Sequence, residues 1–253
     1  MKIGFFGDSF VFELSNPHSW YYNYVTYLKL IKDHYNAEVV NLGVGGSSYW
    51  DSIIKQFPPH ENNLPDVCVF CWTDFGRLYH PNVRNLGTWL LNKRDWKDIY
   101  YKHFINYKEY SAAREYFTRL YDHEKHQRES IAAFYHFDNE VLSKIQNKTK
   151  IIHMWSFGAP INWAEEKNNY YPSNINYIYR WQSGTEIRPS LKCFSAIGRT
   201  TLNDNMSANH LGSTLNNKLV ADMIIEAIDN HDNGRLVIKD AMWEQYQTNP
   251  TAY

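Results

Sequence analysis

The chain has 253 residues, 43% of them hydrophobic, which is enough material for one sizeable core. Its formal net charge is -1, and it contains no long run of like charge. Nucleic acids and anionic membrane surfaces attract strongly basic proteins, so this balance argues against both as partners. We predict one soluble domain over residues 1–253 that binds a partner of neutral or mixed charge; composition says nothing about its oligomeric state.

Cysteine usage and the amino terminus bear on the compartment. The cysteines, Cys68, Cys71 and Cys193, are too few and odd in number for a disulfide framework, so we expect reduced thiols. Cys68 and Cys71 lie in the apolar run "VCVFCW", where a strand would direct them to opposite faces, and we interpret both as core residues. The first residues lack a signal-peptide pattern, and no segment has membrane-spanning length. We expect a cytoplasmic protein, or one released by lysis or carried on a particle.

The first third of the chain alternates between strand and helix patterns. After the opening strand "KIGFF", the segment "SNPHSWYYNYVTYLKLIKDHYN" predicts a helix with Asn16 as its N-cap and Pro17 at its first position. Next come a short buried strand in "AEVVNLGV", a brief helix in "SSYWDSIIKQF" and a buried strand in "DVCVFCW". This β-α-β-α-β order predicts a parallel sheet with helices on both faces.

The rest of the chain is less regular. Residues 77–150 form an insertion whose part from Tyr110 to Lys148 has a helical pattern, broken once, before the strand "KIIHMWSF". Residues 157–202 are a long Asn- and Tyr-rich loop region in which no element can be assigned. A loop of that length is usually functional or contains short unrecognised elements. The last clear element is the helix "STLNNKLVADMIIEAI".

Polar and small residues follow each of the first strands. These are Gly7-Asp8-Ser9, then "NLGVGGSS", then "WTDFGR", while "NMSANHLG" lies just before the last helix. In an open parallel sheet, ligands bind beyond the carboxyl ends of the strands, so we expect these groups to converge there. A serine on a turn directly after a strand can present its hydroxyl and its own N–H for acyl transfer. The alternative reading is that Gly7-Asp8-Ser9 is only a turn, because all three residue types favour turns.

The order of these motifs resembles that of the SGNH hydrolases, also called GDSL-like lipases and esterases. The resemblance covers roughly residues 1–76 and 203–229. It implies an α/β fold of three layers, α/β/α, with a central, mostly parallel sheet of flavodoxin-like type. It also implies that Ser9 is the nucleophile and first oxyanion donor, that the Gly46 N–H is the second donor, and that His210 is the general base. A neutral imidazole titrates close enough to pH 7 to remove a serine proton.

Two positions depart from the family pattern. The family places an oxyanion-binding Asn where this chain has Thr73, whose hydroxyl could donate a hydrogen bond with a shorter reach. The family also places an Asp three residues before the His, and that position is Ser207 here. Either Asp204 reaches His210 and completes a triad, or a backbone carbonyl orients the ring in a Ser-His dyad. Asp8 is expected to shape the turn, and Asp74 and Arg77 either pair with each other or contact substrate.

The resulting prediction is a serine esterase acting on a small acyl ester, such as an O-acetyl group on a carbohydrate. No phosphate-binding or dinucleotide motif has the required spacing, and nothing in the sequence calls for a metal or another cofactor. The alternative is a non-catalytic or weakly active glycan-binding protein on the same scaffold. The altered third motif, the displaced acid and the aromatic stretch "NNYYPSNINYIYRW" would fit that alternative, because aromatic faces stack on sugar rings.

Overall fold

The computed structural model describes residues 1–11, 25–84, 86–91, 107–156, 179, 181–188, 191, 211, 214–230 and 233–237. The strands in these ranges are β1 (Lys2–Gly7), β2 (Glu38–Asn41), β3 (Val67–Trp72), β4 (Lys150–Trp155), β5 (Thr185–Arg188) and β6 (Gly234–Val237). The α-helices are α1 (Tyr27–Tyr35), α2 (Tyr49–Asp51), α3 (Tyr107–Arg119), α4 (His123–His136), α5 (Ser143–Ile145) and α6 (Thr214–Asn230). A π-helical turn, Ser52–Gln56, continues α2, and another, Phe137–Leu142, links α4 to α5. Short 3-10 turns occupy Pro58–His60 and Thr88–Leu91.

These strands form one sheet in the order β2-β1-β3-β4-β5-β6. Every pairing between neighbours is parallel. The order of strands reverses at β1, since the chain goes first to β2 on one side and then to β3 on the other. Connections leaving the neighbours of such a switch point run to opposite faces, which opens a crevice at the carboxyl ends of β1 and β3.

Helices cover both faces of the sheet, which confirms the predicted three-layer α/β/α class. On one face, α1 and α6 pack over side chains that include Ile3, Phe5 and Val69. On the other face, Phe57 and the end of α4 pack over Phe6 and Phe70. Successive residues of β3 alternate between the two clusters, as the two-residue period of a strand requires.

Cys68 and Cys71 follow this alternation. Cys68 lies in the cluster with Phe70, and Cys71 lies in the opposite one with Val69. Both are buried free thiols, as predicted, and burial raises the pKa of Cys68 to about 11. Cys193 lies outside the described residues.

His153 of β4 stacks with two tryptophan rings, those of Trp181 and Trp72. The His153 and Trp181 rings lie nearly parallel with their centroids 3.9 Å apart. The indole N–H of Trp72 donates to His153 Nδ1 at 3.0 Å, which leaves the proton on Nε2, 3.0 Å from the carbonyl oxygen of Ser183. Complete burial lowers the pKa of His153 to about 3, so the ring is neutral at pH 7.

The structure corrects several boundaries. The first helix starts later than predicted, at Tyr27. Thr26 is its N-cap, because its backbone is extended and its hydroxyl accepts from the backbone N–H of Lys29. Asn16 and Pro17 lie outside the described residues. β2 is an edge strand and only partly buried, not a buried one. The predicted helical break in the insertion is confirmed, between the end of α3 at Arg119 and the start of α4 at His123.

The region 157–202 is not a loop throughout, because it contains β5. Asp138, buried in the π-helical turn after α4, holds the approach to this strand. Its carboxylate accepts hydrogen bonds from the Tyr179 hydroxyl at 3.0 Å, the Gln182 N–H at 2.7 Å, and the N–H and hydroxyl of Ser183. These charge-assisted hydrogen bonds help to hold β5 in place. With only four residues, β5 is too short to be predicted from its own sequence.

Candidate active site

The motifs singled out in the sequence follow neighbouring strands at the carboxyl edge of the sheet. Asp8 and Ser9 follow β1, and the glycine-containing loop with Gly46 follows β2. Thr73 follows β3, and Ser156 follows β4. Because β2, β1, β3 and β4 are consecutive in the sheet, these residues lie together at its carboxyl edge, where Ser9 is partly exposed and Asp8, Thr73 and Ser156 are buried.

Ser9 lies on a tight turn at the end of β1. The N–H of Val11 donates to the carbonyl oxygen of Asp8 at 3.1 Å, and the N–H of Phe10 donates to Asp8 Oδ1 at 3.0 Å. An Asx turn of this kind fixes the backbone on either side of the serine. Asn41, the last residue of β2, donates from Nδ2 to the carbonyl oxygen of Val11 at 2.9 Å and secures the exit of the turn. Ser9 is therefore a partly exposed residue on a rigid turn.

Asp8 is fully buried beneath the turn. Besides Phe10, its carboxylate accepts a hydrogen bond from the Ser156 hydroxyl at 2.7 Å. Arg77 lies 3.4 Å from its other oxygen and also donates to the carbonyl oxygen of Ser47 at 3.1 Å. The expected structural role of Asp8 matches these contacts. Arg77 pairs with Asp8, whereas Asp74 accepts the N–H of Gly76 at 2.8 Å.

The loop with Gly46 is bonded to the end of β1. The N–H of Val44 and the hydroxyl of Ser47 both donate to the carbonyl oxygen of Gly7 at 3.0 Å. Gly46 has a φ of 74°, in the left-handed region that favours glycine. Within the described part of the chain, the backbone N–H groups of Ser9 and Gly46 have no hydrogen-bond acceptor. Among the described residues, nothing therefore competes with a ligand for these two donors.

Thr73 and Cys71 differ in how their polar atoms are used. Thr73 is buried, and its hydroxyl has no hydrogen-bond partner among the residues that the structure describes. An unpaired buried hydroxyl is costly and marks a site where a ligand or water can bind. Cys71 Sγ lies 3.0 Å from Ser156 Oγ. Its burial, reinforced by the charge of Asp8, raises the pKa of the thiol well above its ordinary value, which makes it a poor nucleophile.

His210, Asp204 and Ser207 lie outside the described residues, but Leu211 is described and buried. Its carbonyl oxygen accepts from Asn217 Nδ2 at 3.0 Å, and Asn217 Oδ1 accepts the N–H of Tyr27 at 3.0 Å. The hydroxyl of Tyr27 in turn donates to the carbonyl oxygen of Phe10 at 3.0 Å. A continuous hydrogen-bonded path thus joins the residue after His210 to the residue after Ser9.

Sequence reasoning missed Ser156, which bonds to Asp8, Gln56, which bonds to Gly7, and Asn217, which bonds to the backbone of Tyr27 and Leu211. All three occupy positions that a local pattern assigns to the polar side of a helix or to the end of a strand. The residues that the structure describes contain no cluster of three His, Cys, Asp or Glu side chains suited to a metal ion. In the same residues, no helix combines the length and apolar character needed to cross a bilayer.

Comparison with known proteins gives distant structural similarity only. No protein-family model matches the chain, and no curated protein matches its sequence. Among solved structures, it is similar to the psychrotrophic esterase EstA from Pseudoalteromonas sp. at 12% identity and a TM-score of 0.40, covering 90% of this chain and 96% of that one. It is also similar to Axe2, an acetylxylan esterase from Geobacillus stearothermophilus, at 12% identity and a TM-score of 0.44, covering 92% and 96%.

Proposed function

We propose that the chain is a serine ester hydrolase of the SGNH type, forming a single catalytic domain. Ser9 is the nucleophile, and the N–H groups of Ser9 and Gly46 stabilise the oxyanion together with the Thr73 hydroxyl. Support comes from the rigid, partly exposed turn that carries Ser9 and from the free N–H donors beside it. Preorganised donors of this kind are worth most where water is excluded.

The observation that carries the proposal is the path of hydrogen bonds from Leu211 through Asn217 and Tyr27 to Phe10. Leu211 and Phe10 also belong to one hydrophobic cluster. Each is the immediate neighbour of a proposed catalytic residue, and the Asn217 and Tyr27 side chains link these two neighbours. This supports the assignment of His210 as the base for Ser9.

The proposed reaction has two acyl-transfer steps. His210 accepts the Ser9 proton as the serine oxygen attacks the ester carbonyl, and it returns that proton to the departing alkoxide, which leaves as the alcohol. A water molecule then loses a proton to His210 and attacks the acyl-enzyme, releasing the acid and restoring the serine hydroxyl. Asp204 orients His210 in the triad version, and a backbone carbonyl does so in the dyad version.

The proposed substrate carries a small acyl group such as acetyl on a carbohydrate. The sequence contains no apolar segment of the kind that forms a lipase lid, which favours a short acyl chain in a polar compound over a long lipid. A non-catalytic or weakly active glycan-binding protein is the alternative that the experiment must separate from this enzyme.

The test compares the native protein with Ser9→Ala. We expect the native protein to hydrolyse p-nitrophenyl acetate slowly and to become labelled by a fluorophosphonate, and we expect Ser9→Ala to lose both reactions. Ser130→Ala is the control, because Ser130 is a buried serine whose hydroxyl bonds to its own helix at Gln127. Hydrolysis retained by Ser9→Ala would remove Ser9 from the mechanism. A native protein that is inert but binds oligosaccharides would establish the alternative.

A further inference from the structure

Gln56 forms a paired hydrogen bond with the backbone of Gly7. The N–H of Gly7 donates to Gln56 Oε1 at 2.7 Å, and Gln56 Nε2 donates to the carbonyl oxygen of Gly7 at 2.9 Å. Ser52, one helical turn earlier, donates its hydroxyl to the same Oε1 at 3.1 Å. Gln56 is 7% exposed, so solvent does not compete effectively for these bonds.

The paired bond replaces part of a strand that has ended. β2 pairs with β1 as far as Asn41 opposite Phe5, and beyond it the Val44 N–H still donates to the Gly7 carbonyl oxygen, whereas the Gly7 N–H bonds to Gln56 and not to that segment. The N–H of Gly7 therefore loses its partner on the β2 side just before the Ser9 turn begins. A carboxamide has the same donor and acceptor as a peptide group, so Gln56 extends the ladder by one residue.

We propose that Gln56 is a positioning residue, which holds the end of β1 so that Ser9 faces the oxyanion donors. The inference rests on the proposed function of Ser9. The opposite side of Gly7 is already fixed by pairing with Cys71, where an added Cβ would meet the Cys71 carbonyl oxygen at 2.6 Å. On the β2 side, Gln56 binds the Gly7 N–H and joins Val44 and Ser47 at the Gly7 carbonyl oxygen, two positions before the nucleophile.

Gln56→Glu tests this role through pH. A protonated carboxyl has one donor and one acceptor in the arrangement of the amide, whereas the ionised form has no donor and repels the Gly7 carbonyl. We expect the rate of fluorophosphonate labelling, as a ratio to the native rate, to be about tenfold lower at pH 8 than at pH 5.5. Asp8, Cys71, His60 and Lys55, on the elements around Gly7, are the same in both proteins, so the ratio isolates the introduced carboxyl.

Gln56→Met and Ser52→Ala provide the matched comparison. Gln56→Met keeps the side-chain length but removes both bonds to Gly7, so we expect kcat for p-nitrophenyl acetate to fall about tenfold or more with KM little changed. Ser52→Ala leaves both Gly7 bonds in place, and we expect native kcat. Native labelling and kcat in both Gln56 variants, or a Gln56→Glu ratio that does not change with pH, would overturn the inference.

Hydrogen exchange separates this inference from the proposed function. We expect the Gly7 amide to exchange about tenfold faster in Gln56→Met than in Ser52→Ala, whether or not the protein is an esterase. If the native protein is inert but the Gly7 amide exchanges faster in Gln56→Met, the proposed function is wrong. The paired hydrogen bond would then exist without a catalytic role. An active native protein with unchanged exchange would overturn the role of Gln56 alone.

Discussion

The buried carboxylate of Asp8 and the hydroxyl of Ser156 lie 2.7 Å apart, although 148 residues separate them in the chain. This bond joins the ends of β1 and β4 across β3, beneath the turn that carries Ser9. The neighbouring Cys71 thiol belongs to the same buried polar layer, 3.0 Å from the Ser156 hydroxyl. The position of the nucleophile thus depends on groups that never face the substrate.

Ser156→Ala should lower the free energy of unfolding by about 2 kcal/mol, because it removes a buried hydrogen bond to a charged group. We expect Ser130→Ala, which removes a hydroxyl bonded only within its own helix, to cost less than half as much. Urea denaturation at pH 7 measures both values. Equal losses in the two variants would mean that the contact with Asp8 adds nothing beyond local bonding.

Thr73→Val should change stability and activity in opposite directions. The buried hydroxyl, which has no hydrogen-bond partner in the part of the chain that the structure describes, is replaced by a methyl group of similar size, so we expect the free energy of unfolding to rise by about 1 kcal/mol. We expect kcat for p-nitrophenyl acetate to fall about a hundredfold, the usual cost of one oxyanion donor. Thr73→Ser, which retains the hydroxyl, is the control, and native kcat in Thr73→Val would exclude Thr73 from the oxyanion site.

Asp204→Ala distinguishes the triad from the dyad. Loss of an orienting carboxylate lowers kcat by about ten-thousandfold in serine hydrolases, so a fall of that size would identify Asp204 as the acid. A change of less than tenfold would assign the orienting role to a backbone carbonyl. Asp33→Ala removes an exposed carboxylate paired with Lys29 and is the control for general charge effects.

His153→Gln should reduce the acid sensitivity of the fold. The pKa of His153 is lowered to about 3 in the native protein, whereas it returns to about 6.5 on unfolding. Between these values the unfolded chain binds one more proton, so stability falls as pH decreases, by up to about 1.4 kcal/mol per pH unit. Above pH 6.5 this contribution is constant.

Urea denaturation of the native protein and His153→Gln at pH 7, 6, 5 and 4 measures the effect. The difference between the two free energies should narrow steadily below pH 6.5, because only the native protein has this titrating ring. A difference that does not depend on pH would show that His153 is protonated equally in both states. Nitrogen chemical shifts provide an independent check, since the bond from Trp72 predicts the Nε2–H tautomer.

Local sequence patterns predicted the central elements well. β1, β3 and β4 are largely apolar runs, and α6 has buried residues at helical spacing, so each could be recognised without knowledge of its neighbours. β5 and β6 were missed because each is only four residues long and carries charged residues such as Glu186 and Arg235. Their strand conformation depends on pairing with β4 and with each other.

Among the proposed site residues, Ser9 could be found from the sequence because it comes on a turn just after a predicted strand, whereas Gly46 and Thr73 were predicted from the resemblance to the SGNH hydrolases. A turn at the end of a strand is a local property, and parallel strands bring such turns to one edge wherever they occur in the chain. The structure alone revealed Gln56, Ser156 and Asn217, because their roles depend on partners 49, 148 and 190 residues away. A local sequence pattern cannot predict which distant group an amide or hydroxyl will bond to, because that partner is determined by how the helices pack on the sheet.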